Sequence, residues 1–241
     1  MCDLTAGTVE HLADERKQSS LDSYFTGLTL EQRAQIQAVA MDMWDPYVQS
    51  VQAHVPQADG KIVFDVFHIL QHMNAAVDQV RRREHRLLRA LGDETLTGSK
   101  YVWLYGEENV PDHHRERFSE LTRCQSRKKL KTARAWALKE SLRDLWRCRS
   151  RHAAEGQWQW WYGWASRSRL DPVLGVARMI KRHLPNVLTY FRHRITNAMS
   201  EGIASQIQAL KKAANGFRNR DNFKIAIYFH CGGLDLYPAT H

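Results

Sequence analysis

The 241 residues, 43% of them hydrophobic, suffice for one domain or for a core with an insertion, and no low-complexity tract marks the chain as disordered. The charge is less even: 35 Lys and Arg against 26 Asp and Glu leave +9 and a pI near 9.5, a field that attracts polyanions and puts nucleic acid first among candidate partners. Cys2, Cys124, Cys148 and Cys231 form no C-x-x-C pair, no apolar run approaches the ~18 residues of a membrane span, and the N-terminus lacks a basic-then-apolar signal layout. A soluble cytoplasmic protein without structural zinc or a disulfide framework is expected.

In chain order, residues 1–10 read as a strand, a turn at Ala6-Gly7 and a short second strand. Leu21, Tyr24, Phe25 and Leu28 recur at helical spacing, and Thr29 with Gln32 spells a capping box for a further helical turn. The apolar run 36–41 suits a buried strand and ends at Asp42. Asp45-Pro46 opens a helix with Tyr47, Val51 and Val55 on one face, stopped at Pro56. Residues 61–64 form a second buried strand, ending at Asp65. Over 67–202 the chain turns helical, arginine-rich and tryptophan-rich, as in 81-RRREHRLLRA-90 and 157-QWQWWYGWASRSR-169, and seven of the eight tryptophans fall there. Residues 198–217 read as one helix and 223–229 as an apolar tail. Strands at one end, a helix at the other and a helical block between them predict an α/β core with an inserted domain; no internal repeat is visible.

Asp42 and Asp65 each follow a strand, where a side chain reaches the open edge of a sheet and where α/β folds place their active sites. Glu201 stands on the first turn of a helix. Several carboxylates brought together repel one another unless divalent cations sit between them, and hard oxygen donors suit Mg²⁺ or Mn²⁺. Two such ions promote in-line displacement at phosphorus. Spacing alone equally permits structural roles, because strand-end aspartates cap turns and a glutamate near a helix N-terminus is favoured by the macrodipole.

The ordered motifs VAMDMWDPY, P-x-A, IVFDVFHI, N-x-x-x-EG and K-x-x-A-x-GFRN-x-x-NF resemble the DDE-type transposases of bacterial insertion sequences, in particular the ISL3 family. The resemblance runs over nearly the whole chain and is strongest at 36–80 and 195–225. It implies a ribonuclease-H-like α/β core interrupted before its last catalytic helix by a large all-helical insertion, with boundaries at 1–74, 75–194 and 195–241. It also implies three acidic ligands that hold two Mg²⁺ (or Mn²⁺) ions for cleavage and transfer of transposon ends. On this pattern Asp42 falls on the second catalytic acid and Glu201 on the third. Asp65 and His68 match a D-x-x-H signature with a supporting role; the alternative assignment makes Asp65 the acid and Asp42 structural. The family's first aspartate has no counterpart within these residues, since Asp3 matches a different position, and Ala204 stands where asparagine is usual. The resemblance therefore implies an N-terminally truncated transposase with impaired activity.

Lys211, Lys212 and Arg218 match basic positions behind the glutamate and are expected to contact the DNA backbone. Arg81, Arg82, Arg83 and the run 127-RKKLK-131 either touch phosphates or form solvated helix faces. Trp158, Trp160, Trp161 and Trp164 either stack on an unpaired base or fill a helical core. The twelve histidines show no zinc-ligand grouping. The expected function is DNA transposition by metal-dependent strand cleavage and transfer. Transposon ends and target DNA are the expected substrates, with a homo-oligomer or the full-length transposase as protein partner in a nucleoid-associated setting. The competing reading is a non-catalytic basic DNA-binding protein that regulates the full-length enzyme.

Overall fold

The computed structural model describes residues 1–123 and 130–234; Cys124 and residues 127–129 of the basic run lie outside the described residues. The chain is mixed α/β and mostly helical. It divides into two compact units, one formed by residues 1–63 with 194–241 and the other by residues 64–193. Among the described residues no helix is long and apolar enough to cross a membrane.

The first unit opens with an antiparallel hairpin, β1 (Cys2–Asp3) and β2 (Thr8–Val9), turned through Gly7 at φ 68°. Helix α1 (Gln18–Thr26) buries Leu21 and Phe25. Helix α2 (Leu30–Gln35) begins at the expected capping box: the Gln32 N–H donates to Thr29 Oγ1 at 3.2 Å and the Thr29 N–H to Gln32 Oε1 at 2.8 Å. Strand β3 (Val39–Met41) is shorter than the apolar run, because Ile36 is spent closing α2, its N–H bonded to the Arg33 carbonyl. Helix α3 (Asp45–His54) carries Pro46 in its first turn, where a missing N–H costs nothing, and buries Val51 against α1. Strand β4 (Ile62–Phe64) pairs with β3. The Val39 N–H donates to the Lys61 carbonyl at 2.8 Å, so the two strands start side by side, the parallel arrangement of a strand–helix–strand unit.

Two helices complete this unit. The helix expected over 198–217 is α11 in chain order (Ala198–Ala213) and stops four residues early. Asn215 and Gly216 take left-handed backbone at φ 51° and 92°, and the Gly216 N–H returns to the Lys211 carbonyl at 2.8 Å. The apolar tail expected at 223–229 is instead a helix, α12 (Arg220–Cys231), capped by Asn219 Oδ1 accepting the Asp221 N–H at 2.7 Å. Ile227 and Cys231, four apart, join Ile203 of α11 and Val9 of β2 in one buried cluster.

The second unit is a helical bundle: α4 (Val66–Ala90), α5 (Asp112–Arg123), α6 (Lys131–Arg147), α7 (Arg151–Arg167), α8 (Asp171–Arg182), α9 (Leu184–Leu188) and α10 (Tyr190–His193). Its core positions alternate at three and four residues: Ile69, Met73, Ala76 and Val80 on α4, Ala135, Leu138, Leu142 and Leu145 on α6, Ala154, Trp158, Trp161 and Ala165 on α7. That spacing lays an apolar stripe along each helix, and α4 packs on α6 and α8 while α6 packs on α7. Two polar devices tie the bundle. The Glu84 carboxylate of α4 caps the start of α6, accepting the N–H groups of Lys131 and Thr132 at 2.7 Å each and the Thr132 hydroxyl at 2.6 Å. Lys139, 3% exposed, donates to the carbonyls of Trp103, Leu104 and Tyr105 at 3.0, 3.2 and 2.8 Å, fastening the loop ahead of α5 to α6.

The tryptophan cluster divides. Trp158 and Trp161 are core residues, and the Trp161 indole N–H donates to the Leu138 carbonyl at 2.8 Å. Trp160 is 58% exposed on the opposite face of α7, its ring 5.5 Å from that of half-buried Trp164.

Candidate functional site

Both strands of the parallel pair run directly into an aspartate, and the two aspartates use their carboxylates in the same way. In each, Oδ1 accepts the backbone N–H two residues on: Asp42 from Trp44 at 3.4 Å, Asp65 from Phe67 at 3.1 Å. This is the turn-capping role that spacing alone permitted, and for Asp65 it also caps α4. One oxygen of a carboxylate is enough for a cap, so capping and ligation are not exclusive.

The second oxygens differ. Oδ2 of half-buried Asp42 pairs with the guanidinium of Arg16. Oδ2 of Asp65, a residue only 5% exposed, has no hydrogen-bond partner; His68 Nε2, one helical turn on, stands 4.0 Å away, too far for a good hydrogen bond. A buried carboxylate oxygen left in this way is costly unless a cation satisfies it. Asp65 and His68 are thus brought together by the first turn of α4.

Glu201 lies on the first turn of α11 as expected and is exposed. Lys211 and Lys212 occupy the last turn of the same helix, where cations complement the macrodipole, and Arg218 stands in the link to α12; all three are exposed. Arg81 is buried and Arg82 exposed, both bonded to Asp78, while Arg83 pairs with Asp171 at 3.6 Å, so all three have carboxylate partners within the helical unit. Arg16 was not singled out from the sequence. It lies 26 residues from Asp42, and no spacing rule links the two.

These donors suit a hard divalent cation. Glu201 is an exposed carboxylate and Asp42 a half-buried one, and the orphaned Oδ2 of Asp65 is the kind of oxygen such an ion satisfies.

Comparison with known proteins follows the same direction. The transposase for insertion sequence element IS1001 of Bordetella parapertussis is 28% identical over 215 residues, covering 88% of this chain and 52% of its own length. The transposase for insertion sequence element IS1557 of Mycobacterium tuberculosis is 25% identical over an alignment of 263 positions, covering 99% of this chain and 58% of its own. The chain thus spans about half the length of the curated relatives it matches. No solved structure matches it. A family profile described as transposase, of the ISL3 DDE type, matches residues 1–227, and the chain belongs to that family.

Proposed function

We propose that the chain serves DNA transposition by metal-dependent strand cleavage and transfer, with Asp42 and Glu201 as ligands of Mg²⁺ or Mn²⁺. The observation that carries this reading is the family match over residues 1–227, which includes both acids. Bound cations would supply an activated water or 3′-hydroxyl and neutralise charge on the leaving oxygen. The chain's own residues do the placing. The Trp44 amide fixes the plane of the Asp42 carboxylate. Asp65, fixed by the Phe67 amide, and His68 form a supporting pair at the start of α4. Lys211 and Lys212, at the far end of the helix that carries Glu201, and Arg218 in the link after it hold backbone phosphates.

The parallel β3–α3–β4 unit supports a ribonuclease-H-like reading of residues 1–74 with 195–241, and the helices of 75–194 support that of an insertion. Transposon ends and target DNA are the substrates under this reading, handled in the bacterial cytoplasm by a homo-oligomer or together with the full-length transposase. Within the 241 residues only two of three family acids find a match, so a polypeptide of this sequence is expected to nick DNA weakly. Mn²⁺-dependent nicking of transposon-end DNA tests the proposal. Weak turnover lost in Asp42→Ala and Glu201→Ala supports it, and turnover unaffected by either removes both from the site.

One observation favours the second reading, a non-catalytic DNA-binding protein that regulates the full-length transposase. Residues 64–193 hold 25 Lys and Arg against 14 Asp and Glu, whereas 1–63 with 194–241 hold 10 against 12. All of the excess positive charge belongs to the unit without Asp42 or Glu201. DNA binding that ignores divalent metal and survives both alanine variants would select this reading.

A further inference from the structure

We propose that Arg16 is a built-in counter-ion of Asp42: a positioning residue that holds the carboxylate until a divalent cation displaces it, and so sets the affinity of that cation. The inference rests on the reading of Asp42 as a ligand.

Three observations carry it, all within the first unit. Asp42 has both oxygens engaged, Oδ1 by the Trp44 amide and Oδ2 by Arg16, so an incoming cation meets no idle oxygen. The guanidinium is also braced from below. Its carbon lies 4.8 Å from the Trp44 ring centroid and 5.9 Å from that of Tyr47, and the two rings meet edge to face at 4.6 Å and 85°. A planar cation over an aromatic face is attracted by the ring quadrupole. Four residues of the stretch 42-DMWDPY-47 thereby act together: Asp42 presents the charge, Trp44 and Tyr47 form a shelf for its counter-ion, and Pro46 stands in the first turn of the helix that carries Tyr47. Finally, the neighbours of Arg16 in 14-DERK-17 are committed elsewhere, Asp14 to Lys224 at 2.7 Å and Glu15 to Lys17 at 2.6 Å. Arg16 alone of this run reaches Asp42.

The direction of the effect follows from charge. A guanidinium and a divalent cation on one carboxylate repel each other, so metal binding must loosen or expel Arg16. Arg16 is 61% exposed at its side chain, and its release into water costs little. The aromatic shelf keeps the released group close enough to return when the cation leaves. Asp42 is then never left as a bare charge at the strand end.

The test is a Mn²⁺ titration of the 241-residue chain, followed by electron paramagnetic resonance at low ionic strength, for the unaltered protein, Arg16→Ala, Arg16→Lys and Asp42→Ala. Removing the competitor in Arg16→Ala is expected to tighten Mn²⁺ binding about two- to fivefold, the range an exposed ion pair spans. Arg16→Lys, which keeps the charge but fits the shelf less well, falls between, and added salt narrows the difference. Mn²⁺ binding that is unchanged or weaker in Arg16→Ala, while Asp42→Ala weakens it, overturns the counter-ion role and leaves Asp42 a ligand. Binding unchanged in Asp42→Ala removes the ligand itself, and this inference with it.

Discussion

The two units differ most in what they do with charge. The unit formed by 1–63 and 194–241 has nearly balanced charge, 10 basic side chains against 12 acidic, and contains Asp42 and Glu201. The helical unit, 64–193, has 25 against 14 and closes its core with tryptophan and leucine at bundle spacing. Carboxylates meant for metal lose ligand strength when cationic side chains crowd them, whereas a polyanion-binding surface gains from every added arginine. Under the proposed function, this segregation along the chain would let each be tuned separately, with Arg16 on Asp42 as the local exception.

The comparison can be broken by mutation, and the largest effect belongs to the helical core. Trp161→Ala removes a buried indole and its bond to Leu138, at an expected cost of roughly 3–5 kcal/mol in urea unfolding. Next is Lys139. Burial pushes its ammonium down to about 8 from 10.5, although Glu140 beside it pulls the other way. The unfolded chain therefore binds more protons between those values, and stability rises with pH across that window, by at most about 3 kcal/mol, with the penalty fully present below it. Lys139→Met should flatten the difference between unfolding at pH 7.5 and pH 10. If the helical unit holds the polyanion, replacing exposed Arg86, Arg178 and Lys181 by Gln weakens duplex binding, measured by fluorescence anisotropy, by about tenfold and lowers the salt slope. The same treatment of Lys211 and Lys212 costs less; equal losses would erase the contrast between units. Glu84→Gln, which weakens the cap on α6, should cost about 1 kcal/mol. Smallest is Trp160→Ala, below about 0.5 kcal/mol, since that ring is mostly in water.

Local chemistry was legible where a residue type answers a backbone demand. Thr29 with Gln32, Pro46 and the Ala6-Gly7 turn each fall where the chain uses them, because caps, proline and glycine act within a few residues. The end of α11 shows what a helical reading through 217 passed over. Asn215-Gly216 is a left-handed pair, and its signal was masked by apolar spacing on both sides. The run 223–229 looked like a tail because a short apolar stretch does not reveal its own period; only burial of Ile227 and Cys231 against Val9 and Ile203 makes it a helix.

The family, the order of its motifs and the placement of Asp42, Asp65 and Glu201 at element ends were properties of the sequence, since each depends on residue types in a fixed order. What the tertiary structure decided was the company each side chain keeps. Trp158 and Trp161 went inward while Trp160 went out, as a helix turns successive residues 100° apart. Oδ2 of Asp42 gained Arg16 from another part of the chain, while Oδ2 of Asp65 was buried without a donor. Two aspartates alike in one dimension differ in three, because a carboxylate's chemistry is set by neighbours that local sequence does not name.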